Sequence, residues 1–183
     1  MARWAIAIHG GAGVGPNLPE HRQEEAKWVL ARCLQVGVDL LRAIATALDV
    51  VEAVVRELET DPCFNSGRGS ALTRAGTVEM EASIMDGCGR RCGAVSGVST
   101  IRNPVSLTRR VMYKSPHSYL AFHDAEDFAR QQVATSSSHN YLQEIRKSED
   151  GSHQWETPLT PLCRGYSTHP CAILVAAQAQ SPQ

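Results

Sequence analysis

Between residues 20 and 58 the apolar residues return every three or four positions, and that period constrains the fold more than any other feature of the chain. Ala26, Val29, Leu30, Cys33, Leu34 and Gly37 line one face of an amphipathic helix that opens near Glu20. A second helical run, "ALDVVEAVVRELE", follows, and Thr46 with Asp49 makes a T-x-x-D box at its start, the acidic variant of the capping signature. Nothing between Leu40 and Thr46 breaks the chain strongly, so one long bent helix is open to this sequence; two helices are expected. Strand-like segments flank the pair. Residues 3–8 alternate weakly and end at glycine, reading as a buried strand. "TVEMEASIMDG" and "CGAVSGVST" read as two strands joined by a turn around residues 86–89. Asn103 and Pro104 mark the start of a helix through "VSLTRRVMY", and residues 119–132 read as a short strand or turn and then a helix from about Asp124. The expected class is therefore α/β.

A chain of 183 residues most simply makes one domain or part of a larger one. Its net charge of −1, with no basic stripe read along the sequence and few aromatic residues, gives no electrostatic or stacking case for nucleic acid. No apolar run approaches the length that crosses a bilayer, so no membrane partner is expected. The start of the chain carries no secretory pattern, which makes cytoplasmic residence the expectation. The six cysteines then read as reduced thiols, and their spacings with His169 match no common zinc pattern.

Two segments stand out for chemistry. "AIAIHGGAG", residues 5–13, runs a strand into glycines, which let backbone N–H groups approach a ligand closely. It is not a G-x-G-x-x-G phosphate loop, and no G-x-S-x-G elbow accompanies it. "LETDPCFNSGRG", residues 58–69, is so rich in turn-forming residues that many carbonyls lie outside helix and sheet ladders. Side chains, water or a cation must satisfy them, and an ordinary Ω-like loop is the plain alternative. Glu79 and Glu81 lie two apart and share a strand face, a pattern compatible with acid–base work and more often a solvated surface.

Taken in order, "IAIHGGAG", "ALDVVEAVV", "LETDPCFNSGRGS", "VEMEASIMDG", "CGAVSGV", "RNPVSLTRRVM" and "SPH" resemble the plant-type L-asparaginase / isoaspartyl peptidase family, over roughly residues 3–120 and more weakly to 132. The resemblance implies an N-terminal nucleophile hydrolase with an αββα sandwich, of which this chain would supply an incomplete, α-subunit-like half. It implies autocatalytic cleavage into two chains, a threonine nucleophile activated by its own α-amine, and L-asparagine or β-aspartyl dipeptides as substrates. It implies no cofactor beyond a structural sodium held by the backbone carbonyls of Leu58, Glu59, Asp61, Phe64, Ser66 and Arg68. Asn65 falls where the family has an asparagine supporting the nucleophile's surroundings. His9, Gly10 and Gly11 fall in the loop beside the cleavage site, facing the oxyanion.

The chain departs from the family at the nucleophile. No G-T-V-G-A-V-A-type segment follows residue 132; Gly76-Thr77-Val78 lies inside the α-type half. Thr168, in "YSTHPCAILVAA", is the best placed threonine, yet Ser167 replaces the usual glycine and Pro170 removes a ladder donor. Glu81 stands where an aspartate is usual, and "LLRAIATALD" lacks the usual glycine pair between the first two helices. The expected organisation is an α-subunit-like region over 1–132 and a divergent, loosely specified tail over 133–183. The expected behaviour is a chain inactive alone, truncated relative to the family; the alternatives are a non-catalytic α-like subunit pairing with a full-length relative, or an unstable product.

Overall fold

The computed structural model describes residues 4–11, 19–135 and 174–179. The fold is α/β, with β1 (Trp4–His9), α1 (Glu20–Arg42), α2 (Ala47–Thr60), a single 3₁₀ turn (Gly67–Gly69), β2 (Met80–Asp86), β3 (Arg91–Val98), α3 (Pro104–Lys114), β4 (Tyr119–Ala121), α4 (Phe122–Thr135) and β5 (Leu174–Ala179). The chain divides into two compact units: one holds β1, α1, α2, the segment to Gly69 and β5, and the other begins at Ser70 and holds the remaining elements.

In the first unit the helical period becomes a packed seam. Val29, Cys33, Gly37 and Leu41 of α1 are buried together with Val50, Val54 and Leu58 of α2. Ile6 and Ile8 of β1 pack on the same cluster. Burying a side chain of this size contributes about 1.5–3 kcal/mol, so the seam carries much of the unit's stability. Gly37 sits where the three elements meet: a Cβ there would lie 2.3 Å from Ile6 Cδ1 and 3.0 Å from Val54 Cγ2. The predicted box at the start of α2 is present. Thr46 Oγ1 accepts from the Asp49 amide at 3.2 Å, and Asp49 Oδ2 accepts from the Thr46 amide at 3.3 Å. The helices are separate because Ile44, at φ 63°, turns the chain out of α1. β1 pairs antiparallel with β5, from Trp4 opposite Ala179 to His9 opposite Leu174. The face of β1 away from the helices, Ala5, Ala7 and His9, is exposed.

The second unit is a three-stranded sheet of order β2-β3-β4. β2 and β3 form the predicted hairpin, and β4 lies parallel to β3, a connection that needs a crossover and finds it in α3. Met80 and Val95 and Val98 pack against Leu107 and Val111 of α3 and Ala125 and Ala129 of α4. A bulge separates the Met80–Val98 and Ala82–Val95 pairs, and Gly97 occupies it at φ +66°. Any Cβ on Gly97 would also strike the Phe122 ring, at 2.3 Å. The carboxylate of Glu126, from α4, closes the end of β3 by accepting the amides of Ser99 at 2.7 Å and Thr100 at 3.1 Å. The sheet face opposite the helices carries Glu81, Ser83, Met85 and Cys92, all exposed.

Candidate functional site: a carbonyl-rich helix end beneath a glycine turn

The site grows out of the way α2 stops. Asp61 leaves the helix with φ −88° and ψ 129°, its amide still donating to the Glu57 carbonyl at 3.1 Å. In a continuing helix the next donor, residue 62, would serve Leu58, but residue 62 is proline and has no N–H. The donor after it, the Cys63 amide, would serve Glu59; it is turned to Asp61 Oδ1 at 2.9 Å instead. The side chain of Asp61 thus diverts the chain and leaves the last carbonyls of α2 facing the loop. Farther on, the Ser66 amide donates to the Phe64 carbonyl at 2.8 Å and the Gly69 amide to the Ser66 carbonyl at 3.1 Å.

Two glycines let the loop backbone pack closely, Gly67 against the end of α2 and Gly69 against the loop's own carbonyls. Gly67 has φ +54°, and a Cβ on it would lie 2.1 Å from the Glu59 carbonyl oxygen. A Cβ on Gly69 would lie 2.0 Å from the Phe64 carbonyl oxygen and 2.7 Å from that of Pro62. Carbonyl oxygens of three residues, Glu59 at Gly67 and Phe64 and Pro62 at Gly69, therefore pack against glycine backbone where any side chain would strike them. Hard cations take oxygen donors of this kind, and each carbonyl keeps a lone pair beyond the hydrogen bond it already accepts. Among the described residues there is no group of three or more His, Cys, Asp or Glu side chains that could hold a metal.

The glycine turn after β1 rests on this loop. A Cβ on Gly10 would lie 2.8 Å from Phe64 Cε1 and 3.3 Å from Leu30 Cδ1, so the turn packs on the aromatic ring. Gly11 needs its φ of 100°, and its amide donates to His9 Nδ1 at 3.2 Å. The structure thus brings His9, Gly10 and Gly11 together with the 58–68 loop. Leu58, Glu59 and Phe64 are buried, Asp61, Asn65 and Ser66 are half-buried, and Arg68 is exposed. Thr168 lies outside the described residues, as do Cys163, His169 and Cys171. Glu79 and Glu81 are exposed, Glu79 just ahead of β2 and Glu81 opposite the bulge.

Sequence reasoning overlooked the groups that brace the loop. Arg32 Nη2 donates to Asp61 Oδ2 at 3.0 Å, and its guanidinium lies 5.2 Å from the centroid of the Trp28 ring. The signal was present as an aromatic and an arginine four apart on α1, on a face that apolar periodicity ignores. Cys63, at the same corner, is buried; loss of solvent, followed by the Glu25 and Asp61 carboxylates, pushes its thiol up to about 11.

Comparison with known proteins gives the context of this arrangement. A family model described as "Asparaginase" matches residues 2–160. A protein from Arabidopsis thaliana named "Probable isoaspartyl peptidase/L-asparaginase 2" is 71% identical over 182 residues, 100% of this chain and 55% of that protein. The isoaspartyl peptidase/L-asparaginase of Mus musculus is 40% identical over 162 residues, covering 84% of this chain and 49% of that protein. The isoaspartyl peptidase of Escherichia coli (strain K12) is 44% identical over 131 residues, covering 70% and 41%. The chain spans about half the length of the curated relatives it matches. It belongs to the asparaginase family.

Proposed function

We propose that this chain is the α-type half of an N-terminal nucleophile hydrolase that acts on L-asparagine and β-aspartyl dipeptides. The observation that carries the reading is the junction of the glycine turn with the carbonyl-rich loop through Gly10 and Phe64. In the proposed reaction a threonine hydroxyl attacks the side-chain or β-linked amide carbon and passes its proton to the threonine's own α-amine. Ammonia or an amino acid leaves, and water then releases aspartate. Thr168 is this chain's candidate nucleophile, Asn65 supports its surroundings, and the His9–Gly11 turn lies beside the cleavage site with N–H groups available to the oxyanion. Leu58, Glu59, Asp61, Phe64, Ser66 and Arg68 would hold a structural sodium through their carbonyls. That ion, when bound, would supply a fixed positive charge tying the end of α2 to the loop.

The complete fold is proposed to be the αββα sandwich. In its favour, helices pack on one face of β1 and of the β2-β3-β4 sheet, and the opposite faces of β1 and β2 are exposed. Residues 133–183 are proposed as a divergent tail on the α-type region. Among the described residues no helix is long and apolar enough to cross a membrane, and a cytoplasmic site of action is proposed. The reading that this chain pairs with a full-length relative and modulates it draws on the same exposed sheet faces.

Hydrolysis of L-asparagine and of a β-aspartyl dipeptide by the purified chain, with mass spectrometry of the same sample, tests the proposal. An intact, inactive chain is the expected result, and a change in the turnover of an added full-length relative would support the pairing reading. Turnover by the chain alone with a cut before Thr168 would overturn the expected inactivity and make Thr168 the nucleophile. An intact chain with no effect on the relative would overturn the pairing.

A further inference from the structure

The corner where α1 meets the end of α2 contains more apparatus than an ion pair needs. Trp28 is 64% exposed, an unfavourable place for an indole, and the guanidinium of Arg32 lies over its ring. Arg32 donates through Nη2 to Asp61 Oδ2, while Asp61 Oδ1 takes the Cys63 amide. The Arg32 Nε is buried and has no hydrogen-bond partner among the described residues, so the ring and the carboxylate are what hold the guanidinium. Both oxygens of Asp61 are thereby fixed. If the carboxylate swung away, the Cys63 amide would lose its partner and could turn toward the Glu59 carbonyl. That oxygen would then turn away from its place beside Gly67.

We infer that Arg32, braced by Trp28, is a positioning residue for the cation loop: it holds Asp61 in the orientation that keeps the carbonyls at the end of α2 aimed at the ion. The inference rests on the sodium reading above and adds what tunes the site's affinity. Arg32 touches neither ion nor substrate and acts through Asp61 alone. A lysine could keep the charge but would lose the planar stack and the fork that aims one N–H at one oxygen.

The test is sodium-23 NMR titration of the full chain, with choline chloride holding the ionic strength constant, alongside thermal melts in either salt. The wild type is expected to bind sodium and to melt higher in sodium than in choline. Arg32→Met is expected to weaken sodium binding about fivefold, the size of a partly exposed charged contact, and to shrink the sodium-dependent rise in Tm. Arg32→Lys is expected to recover part of the loss. Trp28→Ala keeps the ion pair and so serves if Arg32→Met does not fold; it is expected to weaken binding about twofold. A merely structural ion pair would lower Tm equally in the two salts and leave sodium affinity unchanged, and that result in Arg32→Met or Trp28→Ala would overturn the inference alone. A wild type that binds no sodium would overturn the sodium reading, and the inference with it.

Discussion

The two helices of the first unit end in opposite ways. α1 closes on itself: the Ala45 amide donates to the Leu40 carbonyl at 3.0 Å and the Ile44 amide to the Leu41 carbonyl at 3.2 Å, satisfying the last turn within the backbone. It does so at a cost, because Ile44 is β-branched, adopts φ 63°, and is 87% exposed. α2 avoids that closure. Pro62 withholds one amide and Asp61 captures the next, so its final carbonyls face a loop pinned by Gly67 and Gly69. One end is closed by its own backbone, and the other is shaped by the side chain of Asp61 and by Pro62.

The contrast can be broken from either side. The largest effect is expected at the loop glycines. Gly67→Ala or Gly69→Ala drives a Cβ into backbone oxygen at 2.1 or 2.0 Å, and should cost about 3 kcal/mol or more in urea unfolding. Next comes Pro62→Ala, which supplies the missing amide and lets α2 end more as α1 does. It should lower sodium affinity about tenfold, by analogy with one hydrogen bond remade; unchanged affinity would mean that the Leu58 carbonyl takes no part. A smaller gain is expected from Ile44→Gly, which relieves the left-handed isoleucine and should stabilise the chain by about 0.5–1 kcal/mol in the same urea measurement, the steric relief exceeding the added chain entropy.

The smallest effect concerns pH. Cys63 is favoured as the neutral thiol in the folded state, its titration moved from the ordinary range near 9 to about 11. Its contribution to stability is therefore complete below pH ~9 and declines as pH rises toward ~11, because the unfolded chain gives up that proton first. Alkylation at pH 8 should label the exposed Cys88 and Cys92 well before Cys33 and Cys63. Melts between pH 8 and 11 should fall more steeply for the wild type than for Cys63→Ala.

Much of this was legible in the sequence, for local reasons. The helical stripe and the Thr46–Asp49 box depend on neighbours within one helix; Val29, Cys33 and Gly37 are buried where the pattern places them, Leu34 is exposed, and the box is present. The hairpin of β2 and β3 follows equally from alternation and turn residues. The bulge at Gly97 could not be read, because it depends on register against Met80 and on the Phe122 ring. Ile44 defeated the usual expectation that glycine ends a helix, since α1 pays for its closure with a strained residue. The richness of residues 58–69 in carbonyls outside ladders was visible, but not which side chain diverts them. The contact of Arg32 with Asp61 spans 29 positions and obeys no period. Nor could periodicity reveal that "LVAAQA" would lie antiparallel to β1, because strand pairing over such a separation leaves no local mark.

The central claim is that the end of α2 is built to hold a cation, and a crystal structure of the full chain grown in sodium chloride tests it most directly. The account predicts a single ion ringed by carbonyl oxygens from the 58–68 loop, at the ~2.3–2.6 Å distances that hard cations of this size keep. Finding those carbonyls bonded to amides or to water alone, with no ion among them, would contradict it.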